Sequence, residues 1–405
     1  MADELTIDLL DDANIEDPYP LFRTMRDRDP VMWSARHHAW VITGHAELDE
    51  AFKDTRLSTE RMQGFRDRLP AERLAALEKA IELLDGWMLF NEAPVHQQLR
   101  EPVRRRFTPK AVSSLEDDIR TITDELLDDM ERQGTVDLVD AFAHRLPANV
   151  IGRLFGVPDE LRSWLASWSE KFSVVVFGAT KNPDYLRLAK ESAEEFHGII
   201  GDLMEHYAAN PSDNLISALL ARGDDADGLT NSQILGACSI LLFAGHDTTA
   251  SSLGSSTLAL LRRPEQLAWL RDQTGPTLPD TATEELLRFE PPAKVMMRTV
   301  VEEHERGGHR LEVGQAVFMG IAGANRDPRV FSDPENLDLE RDPNPHLTFG
   351  YGRHFCLGAS LARLEVRIAL RMLLDRFPDL QLAGDVEWRP TIVDRSPKHI
   401  PVRVR

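Results

Sequence analysis

Cysteine is almost absent from this chain. Cys238 and Cys356 are the only two in 405 residues, too few for a disulfide framework or for a four-thiolate zinc or iron–sulfur site, so each needs its own explanation. Positive charge is also short. Lys and Arg number 47 against 67 Asp and Glu, a formal net charge of -20, which opposes phosphate-backbone binding and argues against a nucleic-acid partner. No uninterrupted apolar run is long enough for a membrane span. The nearest, Ile234 to Leu261, contains His246, Asp247 and many Ser, Thr and Gly residues, and reads as a buried core helix. The start, Met1–Asp12, is acidic where an export signal is basic and then apolar, so the expected location is cytoplasmic. Repeats, low-complexity tracts and a Gly-x-Gly-x-x-Gly dinucleotide fingerprint are all missing, so a fused reductase is not expected.

What is present is a predominantly helical pattern. Pro and Gly, 24 of each, are scattered as punctuation, and the expected organisation is one domain over residues 1–405, mostly α with a minor β part. The β-rich stretches are expected near residues 30–60, 295–320 and 380–405. Trp40–Thr43 reads as a short strand before a helix His45–Lys53. Residues Thr59–Pro94 have weak periodicity, which suits a long binding loop. Apolar spacing from Pro94 to Val157 predicts three helices, and Leu161–Val176 and Tyr185–Tyr207 two more. Thr230 and Gln233 form a capping box opening the longest helix, which runs to Arg263 before Pro264. Thr281–Phe289 is helical, Arg310–Glu312 and Ala316–Gly320 read as a strand pair, and Leu357–Phe377 returns to helical spacing before a strand-like tail.

The chemistry concentrates in the loop Phe349-Gly350-Tyr351-Gly352-Arg353-His354-Phe355-Cys356-Leu357-Gly358. Glycines let backbone turn sharply and approach a flat object closely, and Cys356 falls at the start of a helix, where aligned N–H groups favour thiolate. A lone free cysteine is most often a buried apolar residue, and that reading stays open on these residues alone. A thiolate without a second cysteine nearby suits an iron that already has its equatorial ligands, namely haem.

This loop resembles the haem-ligand loop of the cytochrome P450 family, matching Phe-Gly-x-Gly-x-His-x-Cys-x-Gly at every fixed position. At ~5% usage per residue a chance match anywhere in the chain is on the order of 10⁻⁵. The resemblance implies a P450-like fold with a long central helix over the haem and small sheets at one side. It implies haem b with Cys356 as the axial thiolate and metal ligand, and Phe349 beside it. His96, Arg100, Arg298 and His354 match the haem-carboxylate anchors, although each alone is more often a surface group. Ala244-Gly245-His246-Asp247-Thr248-Thr249 resembles the oxygen-activation segment, with Ala244 and Gly245 leaving room for dioxygen and Asp247 and Thr248 as proton relay; His246 is not expected to ligate iron. Taken alone, that segment also reads as a buried helix whose polar side chains bond back to their own carbonyls.

Glu285 and Arg288 share a helix face, and such spacing usually marks a solvated pair. In the resembled family Glu-x-x-Arg joins a third partner, here Arg341 before Asn344-Pro-His346, as a buried support for the cysteine loop. The segments that line the substrate pocket in that family fall here on Phe65, Trp87, Met88, Leu89 and Phe90, on Phe172 and Val176, on Leu241, and on Val295, Met296 and Ile392. Nearly all are apolar, which suits a hydrophobic polyketide, terpenoid, steroid or fatty-acid-like substrate. Lys294 is either a polar anchor in that pocket or a solvent-facing residue, and Cys238 is a core residue. Arg104, Arg105 and Arg106 form a basic cluster on an acidic chain, and the resemblance implies that it is a patch for a ferredoxin that passes on electrons from a ferredoxin reductase. The implied activity is a monooxygenase acting as a cytoplasmic monomer on a small hydrophobic molecule and dioxygen. A haem sensor would not need Asp247 and Thr248 together, and a helical binding protein would require the loop match to be accidental.

Overall fold

The computed structural model describes residues 5–67, 69–105, 107–176, 184–221 and 228–405. Helix accounts for 57% of the chain. Two compact units share it: one takes the chain up to Ser58 with Thr123–Ala143 and Thr248–Arg405, the other Thr59–Ile122 with His144–Asp247. The boundary falls inside two continuous helices, Glu116–Gln133 and Asn231–Leu261.

The first unit is built on a five-stranded sheet in the order Val31–Ser34, Ala39–Ile42, Ala316–Met319, Met296–Val300, Leu57–Ser58. Ala39–Ile42 and Ala316–Met319 run parallel, with Trp40 opposite Val317, and the other pairs are antiparallel. Both faces are buried. Val41 and Phe318 pack with Phe22, Met25 and Val295 on one side, while Ile42, Val317 and Met319 pack with Leu48, Val300 and Leu347 on the other. Two-sided burial is why Trp40-Val41-Ile42 reads as a continuous apolar run rather than an alternating one. A three-stranded sheet joins Thr135–Asp137, Pro401–Arg403 and Gln381–Leu382.

The second unit is helical. An aromatic cluster ties Asp159–Val176 to Tyr185–Ala209 through Trp168 and Phe196, whose rings lie 4.5 Å apart, and Trp168 stacks on Phe172 at 5.1 Å. Trp87 stacks on Phe243 at 5.6 Å and donates from Nε1 to Ser239 Oγ at 2.7 Å. Beside it two backbones touch: a Cβ on Gly236 would lie 2.4 Å from Gly86 Cα. The long helix begins as its capping box requires, with Thr230 Oγ1 accepting from Gln233 N and Thr230 N donating to Gln233 Oε1. It ends at Leu261, and Pro264 starts a new helix instead of merely stopping the old one.

Several expectations need correction. Thr59–Pro94 is not a long loop: it folds as Met62–Asp67, Ala71–Ala76, Glu78–Asp85 and the 3-10 turn Met88–Phe90, pieces too short to establish a helical period. The three helices expected between Pro94 and Val157 are four, Val95–Arg104, Pro109–Ser113, Glu116–Gln133 and Arg145–Phe155, with a strand and a π-helical turn Val139–Ala143 between the last two. Thr108 starts the second by accepting from Ala111 N, directly before Pro109. The strands His309–Leu311 and Ala316–Met319 exist but do not pair; the first pairs with His304–Arg306, the second lies between Ala39–Ile42 and Met296–Val300. Among the described residues no helix is long and apolar enough to cross a membrane.

Candidate active site

The cysteine loop is shaped by its own backbone. Gly350 and Gly352 take φ of +67° and +71°, a region in which a side chain is strained. Gly350 N donates to Leu347 O and Cys356 N donates back to Phe349 O, both at 2.9 Å, so the loop closes on itself. Cys356 is thereby left exposed, flanked by an exposed Phe355, two residues before Gly358, the N-cap of the helix Ala359–Arg376. Cys238 is the opposite case. It is fully buried, and burial pushes its thiol up to about 12, so a metal can reach only Cys356.

Glu285, Arg288 and Arg341 come together in the interior. Arg288 makes a two-pronged pair with Glu285, at 2.7 Å from Nε and 2.8 Å from Nη2, and Arg341 Nε reaches Glu285 at 3.0 Å. Neither Glu285 nor Arg288 has any exposed side-chain surface. Asn344 Nδ2 and Asp338 N also donate to that carboxylate, which satisfies the buried charge that an isolated pair would leave costly.

A second network escaped sequence reasoning. Glu284 accepts from Arg363 Nε at 2.6 Å and from His346 Nε2 at 3.1 Å. Burial pushes the Glu284 carboxyl up, but the hydrogen bonds from Arg363 and His346 outweigh it and hold the group at about 2. Arg363 also lies over the Phe349 ring, 4.3 Å from its centre. Asn325 completes the frame: its Oδ1 accepts from Leu347 N and its Nδ2 donates to Thr348 Oγ1, which donates to Leu287 O. The only signal for this was a second carboxylate beside Glu285, with nothing in the sequence to say that Arg363 faces it.

The remaining anchors divide between the units. Arg298, buried, and His354, half-buried, belong to the first; His96, buried, and Arg100, half-buried, stand one turn apart on Val95–Arg104 in the second. Within the first unit, an exposed thiol on a loop closed by its own hydrogen bonds, with the cationic Arg298 and His354, suits an iron porphyrin with carboxylates. Along the long helix, Ala244, Gly245 and Thr248 are half-buried whereas Asp247 and their other neighbours from Leu241 to Ala250 are buried. Gly245 also admits Ile151, whose Cδ1 would lie 3.2 Å from an added Cβ. His246 donates from Nε2 to His144 O at 3.1 Å, an assignment to helix packing.

Of the expected pocket residues, Trp87, Phe172 and Val295 are corrected to core: each is 0% exposed and presents no surface to a ligand. Phe65, Leu89, Val176, Met296 and Ile392 are half-buried, and Met88, Phe90 and Leu241 keep only slight exposure. An open cleft of about 760 Å³ in the second unit, bordered by Arg66, Ile81, Asp85 and Leu99, involves none of them. Arg104 and Arg105 are exposed, but both donate to Glu101, which halves the charge they present. Arg106 lies outside the described residues. Asp137, Asp140 and His399 could share a metal ion by spacing, yet His399 Nδ1 donates to Asp137 Oδ2 at 2.5 Å and Asp137 Oδ1 accepts two backbone N–H groups. That cluster is already used in tying down the tail.

Comparison with known proteins agrees with this geometry. The family profile of cytochrome P450 matches residues 68–390. The polyketide biosynthesis cytochrome P450 PksS of Bacillus subtilis (strain 168) is 34% identical over 397 residues, covering 95% of both chains. The 6-deoxyerythronolide B hydroxylase of Saccharopolyspora erythraea is 36% identical over 406 residues, covering 98% of both. Among solved structures, P450BioI in complex with hexadec-9Z-enoic acid ligated acyl carrier protein superposes with a TM-score of 0.88 at 31% identity, over 96% of this chain and 99% of that one. The chain belongs to the cytochrome P450 family, monooxygenases that bind haem b through a cysteine thiolate.

Proposed function

We propose that this monooxygenase inserts one oxygen atom of dioxygen into a hydrophobic small molecule, typically as a hydroxyl group, and that Cys356 is its axial haem ligand. The observation that carries the reading is the exposed Cys356 on a loop closed by its own N–H to Phe349 O, while Cys238 is buried. When bound, haem supplies the reduction of dioxygen, with the thiolate's electron donation favouring O–O cleavage. Cys356 would hold the iron, and Arg298, His354, His96 and Arg100 would neutralise the two haem carboxylates, as the resemblance to the family implies. Ala244 and Gly245 leave space beside the helix, Thr248 Oγ1 hands on a proton, and the Asp247 carboxyl supplies it. The partly exposed Phe65, Leu89, Val176, Met296 and Ile392 orient an apolar substrate and exclude water.

The substrate class is a polyketide or macrolide-like compound, which the names of PksS and 6-deoxyerythronolide B hydroxylase support. Electrons come from a separate ferredoxin and its reductase, with Arg104, Arg105 and Arg106 as the docking patch on a cytoplasmic monomer. The test is the absorption spectrum of dithionite-reduced protein under carbon monoxide. Wild type gives the long-wavelength thiolate Soret band and Cys356→Ala loses it; an unchanged band in that variant overturns the ligand assignment.

A further inference from the structure

Lys294 is 2% exposed. Lysine is almost never buried this completely without a counter-charge, and among the described residues Nζ makes no hydrogen bond or ion pair. Its backbone is fixed on both sides: Lys294 N donates to Val393 O at 2.8 Å, and Lys294 O accepts from Ala322 N at 3.1 Å. The side chain is therefore held inside by a main chain that cannot turn it out to solvent.

The nearest charges relieve it only in part. Asp394 pairs by backbone with Ala293, and its carboxylate attracts the Lys294 ammonium without forming an ion pair with it. Arg395 adds like charge and is itself committed, to Glu290 and to the carbonyls of Ile15 and Glu16. Burial first, and then Arg395, bring the ammonium down to about 8, so it is still mostly charged at neutral pH. A buried cation with no hydrogen bond or ion pair among the described residues, beside Val295 in the chain and near Ile392 on the segment bonded to it, is a site awaiting an anion.

We propose that Lys294 receives a carboxylate on the substrate, making this enzyme specific for apolar molecules that carry an acid group. This rests on the monooxygenase reading above, and it narrows the hydrophobic substrate class to members that carry a carboxylate. A haem carboxylate is the other source of the same chemistry, and the two are separable by experiment.

Octanoate, dodecanoate and hexadecanoate, each beside its primary alcohol, are titrated into wild-type holoenzyme, Lys294→Met and Lys294→Arg, with calorimetry and the ferric Soret band as readouts. Wild type binds at least one carboxylate about tenfold more tightly than its alcohol. Lys294→Met weakens that carboxylate by about thirtyfold or more and leaves the alcohol within about twofold, while Lys294→Arg retains the preference. Equal carboxylate affinity in wild type and Lys294→Met overturns the proposal, as does failure of wild type to bind any carboxylate of the series. Haem release to apomyoglobin is the second arm: faster release from Lys294→Met with carboxylate affinity unchanged assigns the cation to haem and also overturns it. Absence of the thiolate spectrum in wild type sinks the monooxygenase reading instead, and calorimetry still decides the role of Lys294.

Discussion

Glu284 and Glu285 are consecutive residues of one helix, yet they hold opposite ends of the cysteine loop. Glu285 takes Arg288, Arg341 and Asn344, which precede the loop; Glu284 takes His346 at its entry and Arg363 in the helix that follows it. Adjacent residues on a helix point about 100° apart, so a single turn can brace two segments. Glu285→Gln leaves two buried guanidinium groups short of their counter-charge and is expected to cost about 3–5 kcal/mol. Urea unfolding of the apoprotein measures this; a loss under about 1 kcal/mol would contradict a buried network.

The Glu284 pair has a pH signature. Its carboxyl sits at about 2 in the folded protein against an ordinary 4.5, so its contribution is complete above pH 4.5 and is lost as pH falls through about 2. With the side chain 26% exposed, solvent screening reduces that contribution to about 1–2 kcal/mol. Glu284→Gln is expected to be less stable than wild type by this amount at neutral pH, and the gap is expected to close below pH 4.5. A gap that is constant with pH would assign the effect to packing.

Two glycines of the long helix respond differently to alanine. At Gly236 the new Cβ meets backbone, Gly86 Cα at 2.4 Å and Leu83 O at 2.9 Å, and neither can move alone. Gly236→Ala is expected to cost about 3 kcal/mol. At Gly245 the obstacle is the tip of Ile151 at 3.2 Å, a flexible end, and alanine regains ~1 kcal/mol of helix propensity. Gly245→Ala is expected within about 1 kcal/mol of wild type. Thermal unfolding of both variants checks the contrast, and equal losses would reject it.

Thr248 is half-buried next to a buried Asp247, which suits a hydroxyl that moves a proton. Thr248→Ala is expected to keep the haem spectrum while more of the electrons supplied emerge as hydrogen peroxide. Peroxide released per electron consumed, measured with a surrogate ferredoxin and reductase, tests this; full coupling in the variant would remove Thr248 from the relay.

Local features were legible in the chain itself. The helix His45–Lys53 lies where apolar spacing puts it, and the capping box at Thr230 and Gln233 forms as written, because both depend on residues within one turn of each other. The loop from Phe349 to Gly358 was equally readable, since its glycines and cysteine act on one short stretch of backbone. Even the missed capture of Arg104 and Arg105 by Glu101 is a three- and four-residue spacing that sequence permits reading.

Long-range relations were not legible. Ala316–Met319 pairs with Ala39–Ile42 across more than half the chain, passing over the nearby Arg310 strand, and no local pattern chooses between those partners. Trp87 and Phe172 look like pocket residues in sequence and prove to be core, because other aromatic rings cover them. Glu284 finds Arg363 79 residues away. Composition, local periodicity and the cysteine motif by themselves determined the helical class, the family and the ligand candidate. Only tertiary packing, which sets burial and therefore the cost of every charge, decided that Glu285 sits satisfied in the interior and that Lys294 sits there without an ion pair.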